Sequence, residues 1–225
     1  MENNTNKSAK TTLQCLLDEK QKDFNKTATE QLKKIYREGL DAVTGSGILD
    51  KALNAGNKAP DFTLTNASNQ SVNLYDQLRK GPVVLTWYRG GWCPYCNITL
   101  RYLQNKLPDF QNEGASLIAL TPELPDQSLN TAEKNQLQFE VLSDVGNNVG
   151  KEYGIIFQLT REVAANYQQA FDLHSHNGDE SDELPLAATY VIGQDAIIQY
   201  AYLNVDYKYR ADPEIIIQHL KQIGK

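Results

Sequence analysis

The segment 86–96, Thr-Trp-Tyr-Arg-Gly-Gly-Trp-Cys-Pro-Tyr-Cys, constrains the fold of this chain more than any other. Residues 82–88 form a short apolar run rich in β-branched and aromatic residues, which predicts a core strand. Gly90 and Gly91 interrupt that run. Beyond them, apolar residues recur at spacings of four and three, at Cys96, Leu100, Leu103, Leu107 and Phe110. This periodicity predicts an amphipathic helix that begins near Pro94.

Two of the three cysteines, Cys93 and Cys96, lie at the start of this predicted helix. Pro94 suits the first helical position, which places Cys93 at or next to the N-cap. There, unpaired backbone N–H groups and the helix dipole favour the reactive thiolate. Cys96 lies one turn deeper on the apolar face, with its Cα roughly 5–6 Å away, within reach of a disulfide. We therefore predict dithiol redox chemistry, with Cys93 as an exposed, acidified nucleophile and Cys96 as its buried resolving partner.

Arg89 and Trp92 are further candidates for this site. Arg89 is the only cation close in sequence to the two cysteines, so it could stabilise a thiolate or orient the substrate of that thiolate. The alternative for Arg89 is a surface arginine at the end of a strand. Trp92 could shape a groove for a protein partner, although aromatic residues beside a core strand more often serve in packing.

Two other interpretations of the cysteine pair are a pair of structural thiols and half of a zinc site. Zinc needs four ligands, and the remaining side-chain candidates are Cys15, His174, His176 and His219. Because there is no second Cys-x-x-Cys, we predict no metal, and we predict no cofactor. Cys15 is predicted to be a minor apolar residue of an N-terminal helix, with a role as an intersubunit resolving thiol as the alternative. His174 and His176 precede a strongly acidic stretch, which predicts a solvated loop.

Charge and cysteine usage limit the partners and the compartment. The chain has 225 residues and a formal net charge of −6 with no basic run, which argues against a nucleic-acid partner. Its longest apolar runs are five or six residues, far short of a membrane span, and its N-terminus has no signal-peptide pattern. Three cysteines cannot form a disulfide framework, so we predict a cytoplasmic protein whose disulfide is transient.

The hydrophobic pattern changes along the chain from purely helical to alternating. Residues 11–42 predict one long or two shorter amphipathic helices, and a Gly-Ser break follows at 44–47. From residue 59, strands are predicted near residues 62–64, 83–88, 115–120, 139–142, 189–192 and 197–203. Helices are predicted near residues 74–79, 94–112, 127–136, 145–153 and 213–223, with residues 155–184 irregular or partly helical. We predict an N-terminal helical extension over residues 1–54 and an α/β domain with a central mixed sheet over residues 55–225.

Four segments of the α/β part carry a resemblance to a known family. They are an opening strand at residues 56–64, the cysteine-bearing turn and helix at 87–101, a strand and helix at 139–155, and the segment 188–192 with the closing helix after it. In this order they resemble the alkyl hydroperoxide reductase/thiol-specific antioxidant (AhpC/TSA) family of peroxiredoxin-like proteins in the thioredoxin superfamily. The resemblance covers about residues 55–225. It implies a thioredoxin-like three-layer α/β sandwich, and Cys-Pro-Tyr-Cys is similar to the dithiol of glutaredoxins and thioredoxins.

The sequence departs from the common peroxiredoxin pattern at three positions. That pattern places a Pro and a Thr seven and three residues before the peroxide-reactive cysteine, where counting back from Cys93 gives Thr86 and Gly90. Counting back from Cys96 does not restore the pattern. The arginine that the family places just before a later strand falls near Ala187, where thioredoxins have a cis-proline. The chain therefore resembles a dithiol branch of the family.

The resemblance implies a thiol-dependent peroxidase. Cys93 would attack hydrogen peroxide or an organic hydroperoxide, Cys96 would capture the resulting sulfenic acid, and a thioredoxin- or glutaredoxin-type donor would reduce the disulfide. The first alternative is a thiol–disulfide oxidoreductase that acts on protein disulfides with little peroxidase activity. The second alternative is a non-catalytic redox sensor or interaction protein. The sequence leaves open whether the chain forms a homodimer.

Overall fold

The computed structural model describes residues 12–66 and 68–223, so the part of the predicted extension before residue 12 lies outside the described residues. The described strands are β1 (Thr63–Asn66), β2 (Ser71–Asn73), β3 (Val83–Trp87), β4 (Ser116–Thr121), β5 (Glu140–Ser143), β6 (Ile156–Gln158), β7 (Glu183–Pro185), β8 (Thr189–Ile192) and β9 (Ile198–Tyr202). The described α-helices are α1 (Leu13–Thr27), α2 (Glu30–Gly45), α3 (Ile48–Lys51), α4 (Leu74–Leu78), α5 (Pro94–Asn112), α6 (Pro125–Lys134), α7 (Asn148–Glu152), α8 (Arg161–Phe171), α9 (Leu173–Asn177) and α10 (Pro213–Ile223).

A mixed sheet with the strand order β2-β1-β5-β4-β3-β8-β9 forms the centre of the described fold. Strand β3 pairs in parallel with β4 and antiparallel with β8, and β4 pairs in parallel with β5. All five residues of β3 are buried, as expected for a strand with helices on both faces of its sheet. The cysteine-bearing turn therefore follows a fully buried strand that is paired on both sides.

Alternate residues of β3 face two different hydrophobic clusters. Leu85 and Trp87 belong to a cluster on one face, together with Tyr153 beyond α7. Val84 points to the other face, where its cluster includes Leu107 of α5 and residues of α10. The sheet therefore lies between two helical layers, and the predicted α/β sandwich is confirmed.

Helix α1 packs against the main part of its own chain, a question that the sequence left open. Its buried residues Leu13 and Leu17 share a hydrophobic cluster with Tyr95 of α5. The Tyr95 hydroxyl donates a hydrogen bond to Gln21 Oε1 at 2.9 Å. Helix α1 therefore packs against α5 near the end of that helix that carries the two cysteines.

Helix α2 packs against α8, at a place separate from the contact between α1 and α5. The Tyr36 hydroxyl donates to Asn166 Oδ1 at 2.6 Å, and the Tyr36 ring meets the Tyr167 ring edge-on at 5.6 Å between centroids. Ile35 packs into the same cluster as Tyr167. The two helices of the N-terminal segment thus contact the α/β part at two separate places.

The elements agree with the predicted pattern except for α3 and β2, which were not predicted, and in residues 155–184. That stretch contains the two-stranded sheet of β6 and β7, which the sequence analysis missed, and the regular helix α8. Each of these strands has three residues, too few for a period of two to be recognised. No helix within the described ranges is long and apolar enough to cross a membrane.

Candidate active site

The cysteine pair lies where β3 leads into α5, as the sequence predicts. The Cys93 backbone N–H donates to the Gly90 carbonyl at 3.1 Å, which closes the turn after the strand. Cys93 is the N-cap residue, with an extended backbone, and Pro94 occupies the first turn of the helix. The predicted local backbone is therefore confirmed.

Hydrogen bonds hold the turn before Cys93 on both sides. The Gly91 N–H donates to Glu123 Oε2 at 2.9 Å, and the Gly91 carbonyl accepts from Asn97 Nδ2 at 2.7 Å. The same Asn97 nitrogen donates to the Cys93 carbonyl at 3.0 Å. A Cβ on Gly91 would lie 1.9 Å from Thr131 Oγ1, so only glycine allows this close approach. These contacts fix the position of the Cys93 backbone.

Both thiols are free and buried. Cys93 is 1% exposed and Cys96 is 0% exposed, so the predicted burial of Cys96 is confirmed and the predicted exposure of Cys93 is wrong. The reason lies in distant segments that close over the helix start. Leu17 of α1 and Tyr207, which follows β9, share a hydrophobic cluster with the two cysteines. Local spacing could not reveal these contacts.

The two thiols have opposite preferences for protonation. Burial raises the pKa of Cys93, but a hydrogen bond with the Cys96 thiol and the charges of Arg89 and Arg210 outweigh burial and bring that pKa down to about 5. Burial, followed by the hydrogen bond with Cys93 and its charge, raises the pKa of Cys96 well above the ordinary value. At neutral pH the site therefore holds one thiolate, at Cys93, beside one protonated thiol.

Arg89 is buried in the site, so the alternative of a surface arginine is wrong. It is 3% exposed, and its Nη2 donates to the Tyr167 hydroxyl at 3.0 Å. Its guanidinium carbon lies 5.1 Å from the Trp92 ring centroid, 5.2 Å from that of Tyr167 and 3.9 Å from that of Tyr207. Cation–π attraction of this kind keeps a buried cation charged without a carboxylate partner. The charge of Arg89 therefore remains available to the thiolate.

Trp92 belongs to an aromatic layer beside Arg89. Its ring lies 5.2 Å from that of Tyr167 and 5.1 Å from that of Phe171, both on α8. Packing against α8 thus accounts for its position, and a role in a groove for a protein partner stays a prediction. Cys15 is exposed on α1 and lies outside the cluster that contains the dithiol.

The sequence analysis missed a second buried cation, Arg210. It is 8% exposed, and its Nη2 lies 3.7 Å from Cys96 Sγ, although 114 positions separate the two residues in the chain. Its Nη1 donates to the carbonyls of Tyr207 and Tyr209. No sequence signal identifies such a contact. Arg210 lies between β9 and α10, and only the fold brings this segment next to Cys96.

The analysis also missed the pairing of Glu123 with His176. Glu123 is fully buried, and its Oε1 lies 2.8 Å from His176 Nδ1 while its Oε2 accepts from the turn before Cys93. His174 Nε2 lies 2.9 Å from Asp182 Oδ1. The solvated-loop prediction for the two histidines is therefore wrong, because both side chains are partly buried against carboxylates. In the described part of the chain, no group of three or more His, Cys, Asp or Glu residues is arranged to hold a metal ion.

The Glu123–His176 pair leads us to expect a pH-dependent contribution to stability. The hydrogen bond with Glu123 raises the pKa of His176, against the opposing effect of burial. The pair therefore stabilises the folded state most below the unfolded-state pKa of His176, about 6.5. This stabilisation is lost as the pH rises through the higher folded-state pKa. His176→Gln should lower the free energy of unfolding most below about pH 6 and progressively less above it. Urea unfolding of wild type and variant over a pH series measures this difference.

His219→Gln is the matched control, because His219 lies on α10 and stacks on Tyr200 of β9 rather than pairing with Glu123. This control should keep the wild-type dependence on pH. A difference between wild type and His176→Gln that stays constant or grows as pH rises would contradict the assigned role of the pair.

A small, mostly apolar cavity lies next to Arg89, which is one of its lining residues. Its volume is about 20 Å³, and α2, α8 and the segment after β9 line it, with Tyr36, Tyr167 and Tyr207 among the lining residues. A space of this size holds about one water-sized molecule. Arg89 lines this cavity but neither cysteine does, so a reagent reaches Cys93 only when the covering side chains move, and a larger reagent requires a larger movement.

We expect the size of a thiol reagent to control its reaction with Cys93. Below neutral pH, a small neutral alkylating reagent should label Cys93 before Cys96, because only Cys93 is a thiolate there. A bulky maleimide should react far more slowly. Tyr36→Ala, which removes a ring from α2 over the site, should raise the rate of the bulky reagent more than that of the small one. Mass spectrometry of peptides locates and times both adducts.

Tyr209→Ala is the control for reagent access, since Tyr209 is 47% exposed. It should leave the ratio of the two labelling rates unchanged. Labelling of Cys96 before Cys93 would reverse the assigned order of the thiols.

Fold and site together define a class of protein. A mixed sheet between helical layers carries a Cys-x-x-Cys pair at the start of the helix that follows a central strand. One of these cysteines is a stabilised thiolate and the other is its protonated neighbour. These features define a dithiol oxidoreductase of the thioredoxin superfamily.

Comparison with known proteins identifies the family within this class. The model of the AhpC/TSA family matches residues 55–201, and the chain belongs to that family. A protein named putative peroxiredoxin Q, chloroplastic, from Oryza sativa subsp. indica is 27% identical over 169 residues, which cover 75% of this chain and 68% of the relative. The predicted family is confirmed.

Two further similarities bear on function and fold. The thiol-disulfide oxidoreductase ResA of Bacillus thuringiensis subsp. konkukian is 29% identical over 119 residues, which cover 52% of this chain and 68% of the relative. The crystal structure of peroxidoxin BcpB from Mycobacterium tuberculosis matches with a TM-score of 0.60 at 19% identity, over 76% of this chain and 98% of the other. The structural match supports the thioredoxin-like fold, which this chain shares.

Proposed function

We propose that this protein is a thiol-dependent peroxidase in which Cys93 is the nucleophile. The observation that carries the proposal is the buried Cys93–Cys96 pair at the start of α5, with Arg210 Nη2 3.7 Å from Cys96 Sγ and with the charge of Arg89 lowering the pKa of Cys93. The thiolate attacks one oxygen of a hydroperoxide, an S–O bond forms and the O–O bond breaks. The other oxygen leaves as an alkoxide or hydroxide and takes up a proton. Arg89 is placed to favour both the thiolate and the negative charge on the departing oxygen.

Cys96 completes the cycle as the resolving thiol. Its sulfur attacks the sulfenic sulfur of Cys93, the S–O bond breaks, and the hydroxide takes the Cys96 proton and leaves as water. The resulting disulfide is then reduced by two electrons from a dithiol donor of the thioredoxin or glutaredoxin type. The peroxiredoxin Q relatives support the peroxide-reducing half of this cycle. We place the cycle in the cytoplasm, because a transient disulfide requires a reducing compartment.

A thiol–disulfide oxidoreductase is the second candidate. It is favoured by the Cys-Pro-Tyr-Cys sequence, by the similarity to ResA and by the lack of the common peroxiredoxin Thr, whose position holds Gly90. Such an enzyme needs only the dithiol and room for a protein disulfide. Because Cys93 is buried under α1 and the aromatic layer, the covering segments have to move before either a protein disulfide or a thioredoxin-type donor reaches its sulfur, so burial does not separate the two candidates.

Consumption of NADPH through thioredoxin and thioredoxin reductase separates these functions. A peroxidase consumes NADPH only when a hydroperoxide is added, with hydrogen peroxide and an alkyl hydroperoxide as separate arms. The oxidoreductase reduces an added protein disulfide and leaves hydroperoxide untouched. Glutaredoxin with glutathione and glutathione reductase replaces the first donor system in a parallel assay. No turnover with either acceptor and either donor would leave the redox sensor as the remaining function.

A further inference from the structure

Arg210 is held so that one of its nitrogens faces the inner sulfur of the dithiol. Its Nη1 donates to the backbone carbonyls of Tyr207 and Tyr209, and these two bonds fix the plane of the guanidinium. Its Nη2 lies 3.7 Å from Cys96 Sγ, and both residues are buried. A planar guanidinium that is anchored at one nitrogen presents the other in a fixed direction. The geometry therefore directs a permanent cation at the sulfur of Cys96.

No carboxylate neutralises this cation at ion-pair distance in the part of the chain that the structure describes. The nearby Asp206 instead pairs with Lys208, at 3.1 Å between Oδ2 and Nζ. Backbone carbonyls satisfy N–H groups of Arg210 without cancelling its charge. The Cys96 sulfur is thus the reacting atom that Arg210 contacts, whereas the guanidinium of Arg89 packs among aromatic rings.

We propose that Arg210 is a catalytic residue for the Cys96 half of the dithiol cycle, where it stabilises negative charge on the Cys96 sulfur. The proposal rests on the proposed function, because it requires a cycle in which Cys93 and Cys96 form and break a disulfide. Arg89 then serves mainly the attack of Cys93 on the hydroperoxide. Each buried arginine thus acts in a different chemical step, Arg89 in peroxide reduction and Arg210 in the reactions of Cys96.

Negative charge develops on Cys96 twice in the cycle. In the resolving step, the Cys96 thiol loses its proton to the departing hydroxide, its sulfur attacks Cys93, and an S–S bond replaces the S–O bond. In the reductive step, a thiolate of the dithiol donor attacks the Cys93 sulfur, the S–S bond breaks, and Cys96 leaves as a thiolate that takes up a proton. The second thiol of the donor then displaces Cys93, which leaves the donor oxidised. Arg210 contacts the sulfur that carries the charge in both steps.

The test separates the two chemical steps in stopped-flow and trapping experiments. Arg210→Met should slow disulfide formation after a pulse of hydroperoxide by at least about tenfold, within the range for losing one charge-stabilising donor. Sulfenic acid trapped by dimedone on Cys93 should increase accordingly. Formation of that sulfenic acid, measured in the Cys96→Ser background, should slow less. Arg89→Met should show the opposite order of effects.

Two further variants keep the test decisive. Lys208→Met is the control, because Lys208 is a cation of the same loop that pairs with Asp206 and does not contact either cysteine in the described structure. It should leave the rates of sulfenic acid formation and disulfide formation at the wild-type level. Arg210→Gln keeps an amide donor for the carbonyls and removes the charge, so it tests the charge if Arg210→Met does not fold. With a small dithiol as reductant, its disulfide should also be reduced at least about tenfold more slowly, because Cys96 leaves as a thiolate in that step.

Each outcome decides one of the two claims. Wild-type rates of both disulfide formation and disulfide reduction in Arg210→Gln would overturn the role of Arg210 and leave the peroxidase intact. A larger loss in sulfenic acid formation than in disulfide formation would also overturn it, because Arg210 would then serve Cys93. No disulfide in the wild type after hydroperoxide would instead contradict the proposed function itself.

Discussion

Cys93→Ser is expected to abolish reaction with hydroperoxide, while Cys96→Ser should still complete one reduction. A serine hydroxyl in place of the Cys93 thiol does not ionise near neutral pH, so the variant has no nucleophile for the O–O bond. Cys96→Ser keeps the thiolate and lacks the resolving sulfur, so it should consume one equivalent of hydroperoxide and stop as a sulfenic acid. Peroxide consumption measured against protein concentration, with a dimedone-type probe for the sulfenic acid, gives both results.

Cys15→Ser is the matched control for the two substitutions. Cys15 is exposed on α1 and lies outside the hydrophobic cluster of the dithiol, so this variant should turn over like the wild type. Full turnover in Cys93→Ser would show that another cysteine is the nucleophile. Multiple turnovers in Cys96→Ser would assign the resolving step to a different thiol.

Arg89→Met is expected to raise the pKa of Cys93 from its value of about 5 by at least about one unit. Among the neighbouring charges, that of Arg89 lowers this pKa most, and methionine keeps an apolar stem while removing it. For a shift of one unit, the rate of alkylation should therefore fall about fivefold at pH 5 and about twofold at pH 6, with little effect at alkaline pH, where the thiol ionises regardless. Titration of Cys93 by absorbance of the thiolate, or by alkylation rate against pH, measures the shift.

The same variant should slow the reaction with hydroperoxide more than the reaction with a neutral disulfide reagent. We expect this asymmetry if the guanidinium of Arg89 also stabilises the oxygen on which negative charge develops as the O–O bond breaks. Arg161→Met removes an exposed cation from α8 and should change neither rate. Equal slowing of both reactions would show that Arg89 acts only by stabilising the Cys93 thiolate. An unchanged pKa of Cys93 in the variant would show that Arg89 does not stabilise that thiolate.

The arrangement around the dithiol was largely predictable where it depends on neighbouring residues in the chain. The apolar run of β3, the two-glycine break and the four-three spacing after Pro94 each specify local backbone. Their order therefore predicts Cys93 at the helix start and Cys96 on the buried face, as observed. The alternation of strands and helices predicts the α/β sandwich for the same reason.

The parts that could not be predicted depend on contacts between distant segments. Tyr207 closes over Cys93 from beyond the last strand, which converts an expected exposed thiol into a buried one. Arg210 reaches Cys96 across 114 positions, and His176 reaches Glu123 across 53. No periodicity or motif within a window of a few residues encodes such pairs. The acidic composition after His176 therefore indicated a solvated loop, although the histidine itself is drawn to a buried carboxylate.

The boundary at residue 54 between extension and α/β domain stays a prediction. The described contacts show that the helices before this boundary pack against the site. Leu17 of α1 lies in the cluster of the dithiol, and Tyr36 of α2 lines the cavity beside Arg89. The family match begins at residue 55, so the helices that cover the site lie outside it. We expect the extension to affect access to Cys93 as well as stability.

Mass spectrometry of the intact protein after one equivalent of hydroperoxide tests the central claim most directly. We expect the reduced protein to become about two mass units lighter, through the loss of two hydrogens. Peptide mapping without reduction should place the new disulfide between Cys93 and Cys96, and a thioredoxin-type donor should restore the original mass. An unchanged mass together with unconsumed hydroperoxide would contradict the peroxidase cycle at this dithiol.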